Sequence, residues 1–281
     1  MTAQGHAPVL ESSTGAGVGR FGRSNAVHVW HGRVPDVPDP ADVAVLDAAE
    51  LRTYRGRRPP FDGRYAGAHA AVRRVLADHY LGCPPDAIRF GRHTCPRCAA
   101  GTHGRPRVVA PVTRLEFSLS RSGPYWLLSV TAGGRVGIDI EVHGGRDLGG
   151  MADVALSSDE SAALEAVDDV SEREAFFLRA WTRKEAVLKA AGIGIVAELR
   201  GLDVFPQRNG PVSVACADPA VRGVWRVEDV PLGPGLSAAV ARETGETGPV
   251  LIRSSAAALA AQEGFRPGRA GSGVGSGDGV R

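Results

Sequence analysis

The sequence predicts an α+β protein of two tandem halves, each a small, mostly antiparallel sheet with helices on one face. Three observations predict it. Strand-like and helix-like stretches run in the order strand, helix, several strands, then helices, then strands again. The 281 residues allow roughly two domain-sized units. Of 37 glycines, 5 fall in residues 1–24 and 7 in residues 264–281. Those ends are also short of large apolar residues and cannot offset the entropy of ordering. About 240 residues remain to fold, enough for a core without staples.

The first strand is Ala26-Val27-His28-Val29-Trp30-His31, an apolar alternation. A Pro-rich loop at 34–40 leads into a helix at about 41–54. Arg55, Arg57, Arg58 and Arg64 make the next stretch cationic. Tyr65 to Leu81 has helical spacing, and Gly82 supplies its stop. A short strand lies around Ala87–Phe90, then a Gly/Cys/His-rich loop at 91–106. Strands follow at Leu115–Leu119, Tyr125–Thr131 and Arg135–Glu141, with Gly133-Gly134 as a hairpin signal between the last two. Ser157 with Glu160, and Ser171 with Glu174, have capping-box spacing. The second box opens a helix that Gly192 ends. Late strands are expected at 202–205, 211–216, 223–230 and 235–241.

Several function classes drop out early. The 33 basic and 31 acidic residues leave a net charge of +2, no field for a polyanion. Four cysteines are too few for a disulfide scaffold. No 18-residue apolar run predicts a membrane span, and no secretory pattern opens the chain. A soluble, cytoplasmic protein is the expectation.

Chemistry concentrates in three segments. Along Val136-Gly137-Ile138-Asp139-Ile140-Glu141 side chains alternate, so Asp139 and Glu141 share the face opposite Val136, Ile138 and Ile140. Paired carboxylates suit an oxygen-seeking divalent ion, and equally an acidic outer strand face. On the helix, Phe177, Trp181, Glu185 and Lys189 lie four apart on one stripe. In isolation a Glu185–Lys189 pair is a solvent ion pair, but this one continues an aromatic stripe. Third, Glu116 to Gly123 ends a strand in hydroxyls, Arg121 and a Gly, suited to phosphate oxygens or to a polar turn.

Together these segments resemble the surfactin-type 4'-phosphopantetheinyl transferases. The family's Gly-x-Asp-x-Glu appears as Gly137-Ile138-Asp139-Ile140-Glu141. Its Trp-x-x-Lys-Glu-Ala with a Lys four residues past the Glu appears as Trp181, Lys184, Glu185, Ala186 and Lys189. Its Phe-x-Leu-Ser-His-Ser-Gly appears as Phe117 to Gly123, and its Gly-Lys-Pro as Gly104-Arg105-Pro106. The resemblance covers about residues 26–243.

It implies transfer of the phosphopantetheine arm of coenzyme A to a serine of an acyl or peptidyl carrier protein, with release of adenosine 3',5'-bisphosphate. Polyketide or nonribosomal peptide biosynthesis is the implied setting. Asp139, Glu141 and Glu185 resemble the magnesium ligands. Asp139, Glu185 and Lys189 are the implied catalytic residues, and Glu185 or a water on the metal takes the serine proton. Lys184 and Lys189 resemble the lysines that hold the coenzyme A phosphates and arm. Arg64, with Arg52 in the same basic cluster, resembles the group that binds the 3'-phosphate. Arg105, Ser120 and Arg121 fall at further coenzyme A positions.

Two departures stand out: Arg121 replaces His and Arg105 replaces Lys. Arg keeps a fixed cation but cannot act as a base. The implied organisation is an N-terminal extension at 1–24, halves at 25–132 and 133–245 with the site between them, and an extension at 246–281, disordered at 1–24 and from about 264. The carrier is expected at 142–170, and the chain is expected to be a monomer with no nucleic-acid or membrane partner.

Cys95, Cys98 and His103 have a Cys-x2-Cys-x4-His spacing that suits structural zinc, with His93 or Cys83 as a fourth ligand. Reduced loop thiols are the alternative. A non-catalytic coenzyme A or carrier-binding module is the rival from another class, favoured by Arg121. A metal-dependent nuclease is disfavoured by charge and by the lack of aromatic interleaving among the basic residues.

Overall fold

The computed structural model describes residues 9–10, 25–144, 148–193, 199–216 and 223–254. The expected disorder at 1–24 and from about 264 lies outside these residues except at Val9–Leu10, which form a strand instead. The strands are β1 (Val9–Leu10), β2 (Val27–Arg33), β3 (Arg89–Arg92), β4 (Pro106–Ala110), β5 (Glu116–Ser122), β6 (Tyr125–Thr131), β7 (Val136–Val142), β8 (Val212–Ala215), β9 (Val224–Asp229), β10 (Leu236–Glu243) and β11 (Val250–Ser254). The helices are α1 (Pro40–Ala44), α2 (Ala48–Arg55), α3 (Phe61–Leu76), α4 (Gly149–Ala155), α5 (Ser158–Glu165) and α6 (Val170–Ala191).

The chain is α+β, with two sheets ordered β1-β11-β2-β6-β5-β4-β3 and β7-β10-β9-β8. One connection recurs in both. A first strand, β2 or β7, leads through helices to a meander whose last strand, β6 or β10, returns antiparallel beside it. Helix α3 buries its apolar face on the first sheet, with Val72, Val75 and Leu76 against Phe117, Trp126 and Leu128. Helix α6 does the same on the second, with Phe177, Leu178 and Val187 against Trp225 and Val227. A third cluster joins the sheets: Val27, Val29 and Leu127 pack with Ile138, Ile140, Val240 and Ile252. The apolar face of β7 is thus buried against the other sheet.

The Ser157–Glu160 capping box forms, and Gly82 ends its helix at φ 61°. The segment 41–54 is two helices, because Asp47 caps Ala49 and Glu50 and restarts the chain at α2. Ser171 caps nothing; Asp169 caps α6, and Glu174 accepts instead from the Gly144 N–H. Residues 202–205 are not a strand. Their carbonyls, at Leu202, Val204 and Phe205, are taken by Lys184 and Arg183 side chains, which replace a ladder partner. Strands β1, β4 and β11 and helix α4 were not expected. β11 lies inside the segment read as a C-terminal extension, yet it pairs parallel with β2.

The most informative correction concerns Gly133-Gly134. It is no hairpin turn, since β6 pairs with β2 and β5 while β7 pairs with β10. The chain changes sheets there. Serine side chains join β5 to β7 in place of a ladder. Ser118 accepts from the Ile138 N–H, and Ser122 accepts from the Val142 N–H. Ser120 and Ser122 donate to Asp139 and Glu141. Residues 118, 120 and 122 share one face by strand alternation.

One half-buried histidine, His28, makes stability pH-dependent. Tyr80 Oη accepts from Trp30 Nε1 at 2.6 Å and lies 2.8 Å from His28 Nδ1. The contact ties His28 to the Tyr80–Trp30 pair. Burial first, then the Arg253 charge, lowers His28 to about 4. The unfolded chain binds the proton more tightly, so this stabilisation is present above pH ~6.5 and lost as pH falls toward 4. The loss reaches at most about 3 kcal/mol. Urea midpoints at pH 7 and 4.5 should differ less in His28→Asn than in wild type; an unchanged difference removes His28 as its source.

Candidate active site

The site starts at Gly137. A Cβ there would lie 2.0 Å from the Ala186 carbonyl oxygen and 2.4 Å from the Ala190 N. Only glycine lets α6 rest directly on β7 at this point. Asp139 and Glu141 follow on the same strand face, and Glu185 and Lys189 lie on the apposed helix. The close approach therefore brings the four charged groups together.

Lys189 Nζ donates to Asp139 Oδ1 at 2.6 Å and to Ser120 Oγ at 2.9 Å. Ser120 also donates to Asp139 Oδ1, at 2.7 Å. Glu141 takes the Ser122 hydroxyl at 2.8 Å. Two buried carboxylate oxygens, Asp139 Oδ2 and Glu185 Oε1, have no hydrogen-bond partner. Burial, followed by the Asp139 charge, pushes Glu185 up to about 7, with Lys189 opposing and Glu141 adding to the rise.

Hard oxygen donors with two buried orphan atoms fit a divalent cation such as magnesium. The residues able to hold it are Asp139, Glu141 and Glu185. Among the described residues no three such groups already stand as a metal-binding cluster. Lys189 and Ser122 hold two of the carboxylates instead.

A cleft of about 690 Å³ opens beside this cluster, and Ser120 and Lys189 belong to its lining. Arg92, Arg105 and Arg121 add cationic lining. Further along, Tyr65 stacks on His69 with ring centroids 4.1 Å apart. The guanidinium carbons of Arg57 and Arg121 lie 4.8 and 5.0 Å from the Tyr65 centroid. Neither forms a salt bridge among the described residues. Two adjacent uncommitted cations over an aromatic ring make a ready anion site. Beneath them Glu50 binds His69 at 2.9 Å and Arg73 at 2.7 Å, which fixes the ring stack on α3.

The structure gathers Asp139, Glu141, Glu185, Lys189 and Ser120, and sets Arg105 and Arg121 on the cleft wall. Arg105 also donates to Glu116 at 2.8 Å. Three expected residues lie elsewhere. Arg64 pairs with Asp36 at 2.6 Å and does not line the cleft. Arg52 is exposed on α2, also outside the lining. Their helical positions point them away from the ring stack. Tyr65, His69, Arg57 and Arg92 were missed. The only sequence signal for the first two was their spacing of four on a predicted helix.

Lys184 is the third. Its side chain is fully buried on the opposite side of α6 from Lys189. Nζ pairs with Glu160 at 2.6 Å and donates to the carbonyls of Leu199 and Leu202. Burial lowers its pKa against the Glu160 charge. Lys184 pins α5 and the 199–202 turn to α6 and does not touch the cleft. Lys184→Met strands a buried carboxylate and should cost about 3 kcal/mol in urea unfolding. The KM for the substrate that fills the cleft should stay within twofold; a tenfold rise would return Lys184 to the cleft.

Residues 135–241 match the family described as the 4'-phosphopantetheinyl transferase superfamily. They hold both charged motifs. The chain is 30% identical over 202 residues to the 4'-phosphopantetheinyl transferase HetI of Nostoc sp., covering 69% of this chain and 80% of that one. It is 41% identical over 152 residues to 4'-phosphopantetheinyl transferase AcpT of Salmonella typhi, covering 53% and 71%. It is 33% identical over 117 residues to 4'-phosphopantetheinyl transferase psf-1 of Bacillus pumilus, covering 41% and 48%. No helix among the described residues is long and apolar enough to cross a membrane. With the carboxylate–lysine cluster on β7 and α6 falling inside the matched segment, the chain belongs to the 4'-phosphopantetheinyl transferase superfamily.

Proposed function

We propose that this transferase is of the surfactin type. It moves phosphopantetheine from coenzyme A to a serine of an acyl or peptidyl carrier protein in polyketide or nonribosomal peptide biosynthesis, and it depends on magnesium. The observation that carries the reading is the cleft. Its lining includes Lys189 and Ser120, both bonded to the buried Asp139, and also Tyr65 and Arg121, with Arg57 over the same tyrosine ring. Coenzyme A has the matching charges, a pyrophosphate and a separate 3'-phosphate.

In this reading Lys189 and Ser120 hold the pyrophosphate, and Arg121 and Arg57 hold the 3'-phosphate. The carrier serine oxygen attacks the phosphorus that bears the pantetheine arm. The bond from that phosphorus to the leaving adenosine 3',5'-bisphosphate breaks. Glu185, whose buried Oε1 has no hydrogen-bond partner among the described residues, takes the serine proton. When bound by Asp139, Glu141 and Glu185, magnesium supplies positive charge against the pyrophosphate. Positioning and charge do most of the remaining work, as in other phosphoryl transfers. Residues 25–132 and 133–245 act as two halves of one monomeric enzyme. The repeated strand connection and the shared core support that division.

The test is incubation of an apo carrier protein with coenzyme A and magnesium, read by mass. The expected result is one phosphopantetheine added to the carrier, blocked by a chelator. Coenzyme A binding without any mass gain on several carriers would support a non-catalytic binding module instead. Arg121→Ala should raise the KM for coenzyme A by about tenfold to a hundredfold, the range for removing one charged hydrogen-bonding group. The KM for coenzyme A lacking the 3'-phosphate should not change. Equal losses for both would move Arg121 away from the 3'-phosphate.

A further inference from the structure

The loop between β3 and β4 holds a cysteine–histidine cluster that the transfer chemistry does not use. Cys98 Sγ lies 3.4 Å from His103 Nδ1. Two ligands of one tetrahedral zinc, at bonds of about 2.3 and 2.1 Å, stand about 3.6 Å apart. Cys95 is buried, and its sulfur receives the backbone N–H groups of Cys98 and Arg97 and a contact from the Cys98 thiol. A tight turn holds the two cysteines in place. The Cys95 N–H donates to the Ala100 carbonyl, and the Ala99 N–H donates back to the Cys95 carbonyl. Ala99 sits at φ 56°, in the left-handed region.

We propose that Cys95, Cys98 and His103 form a binding site for a soft divalent cation, zinc above all. The donors stand as two contacts, Cys95 with Cys98 and Cys98 with His103, sharing one thiol. Among the described residues no three such side chains are already closed into a metal-binding group, so the metal itself draws the two contacts onto one centre. The expected fourth ligands are committed elsewhere. His93 Nε2 sits 3.0 Å from Glu116 Oε1, and Cys83 packs against the first-sheet core. The site therefore has three protein ligands, and solvent completes it.

Its position gives the metal a task. His103 and the next two residues, Gly104 and Arg105, line the cleft. A Cβ on Gly104 would lie 1.8 Å from the His93 carbonyl oxygen, so the base of the loop is closed by backbone packing. A metal across its tip fixes the other end, and with it the cleft wall that Arg105 belongs to.

The test is metal analysis of the full chain, purified under reductant, loaded with zinc chloride and desalted. About one zinc per chain is expected for wild type and for Cys83→Ser. Cys98→Ser and His103→Ala should hold less than a tenth of that, with unchanged circular dichroism. Should those variants fail to fold, wild type stripped by a chelator and reloaded decides the matter, by recovering one zinc per chain or not. Wild type without zinc, Cys98→Ser with a full complement, or Cys83→Ser without it overturns the proposal. So does a Cys95–Cys98 disulfide in the reduced preparation. These readouts are independent of whether the chain modifies carriers.

Discussion

Asp139→Ala should lower phosphopantetheine transfer by about a thousandfold, the scale for losing one preorganised charged group, while the protein remains folded. The two halves of this expectation have one cause. Asp139 is 3% exposed, and its Oδ2 has no hydrogen-bond partner. Its charge also raises the proton affinity of Glu185. The folded chain thus carries a crowded set of carboxylates that it would be more stable without. The ion pair with Lys189 works in the other direction, but that lysine is partly solvated and the pair is discounted accordingly. The melting temperature should hold or rise, as at sites where function opposes stability. Carrier loading by mass and a thermal melt on the same preparation check it. A folded Asp139→Ala protein with full activity would remove the carboxylate cluster from the mechanism.

Gly137→Ala should do more damage than any surface change in the molecule. Its added methyl would meet backbone atoms of α6 on both sides, at 2.0 and 2.4 Å. No rotamer change relieves a clash with backbone, so helix and strand must separate. That opens the packing of Phe177, Val187 and Ala190 on the second sheet. We expect a loss of at least about 4 kcal/mol, in the exceptional class reserved for core overpacking. Transfer should fall with it, because Glu185 and Lys189 move away from Asp139. Urea denaturation and soluble yield measure the first effect, and carrier loading the second. A Gly137→Ala protein of wild-type stability would show that the helix is not held against the strand as described.

Much of the charged site was legible in the chain. Strand alternation placed Asp139 beside Glu141, and a spacing of four placed Glu185 beside Lys189. Both are local periodicities, set by backbone geometry alone. The same reasoning failed for Lys184 because a helix has several faces and the sequence does not say which one meets the cleft. Lys184 and Lys189 are five apart, far enough round the helix to serve different tasks. Arg64 failed for a similar reason: next to Tyr65 in sequence, it turns outward to Asp36 while Tyr65 turns in. The three serines of β5 read as a polar strand end. Only the change of sheet at Gly133-Gly134 shows them as the link between β5 and β7.

By itself the sequence determined the α+β class, much of the alternation of strands and helices, and which carboxylates and lysine stand side by side. These follow from short-range rules of chain geometry and burial. The tertiary structure alone decided which residues face one another across the cleft. It brought Tyr65, Arg57 and Arg121 together from separate elements, sent Lys184 into the core, and returned β11 to the first sheet. Such contacts join residues far apart in the chain, and their register is set by packing of whole faces, which no local spacing encodes.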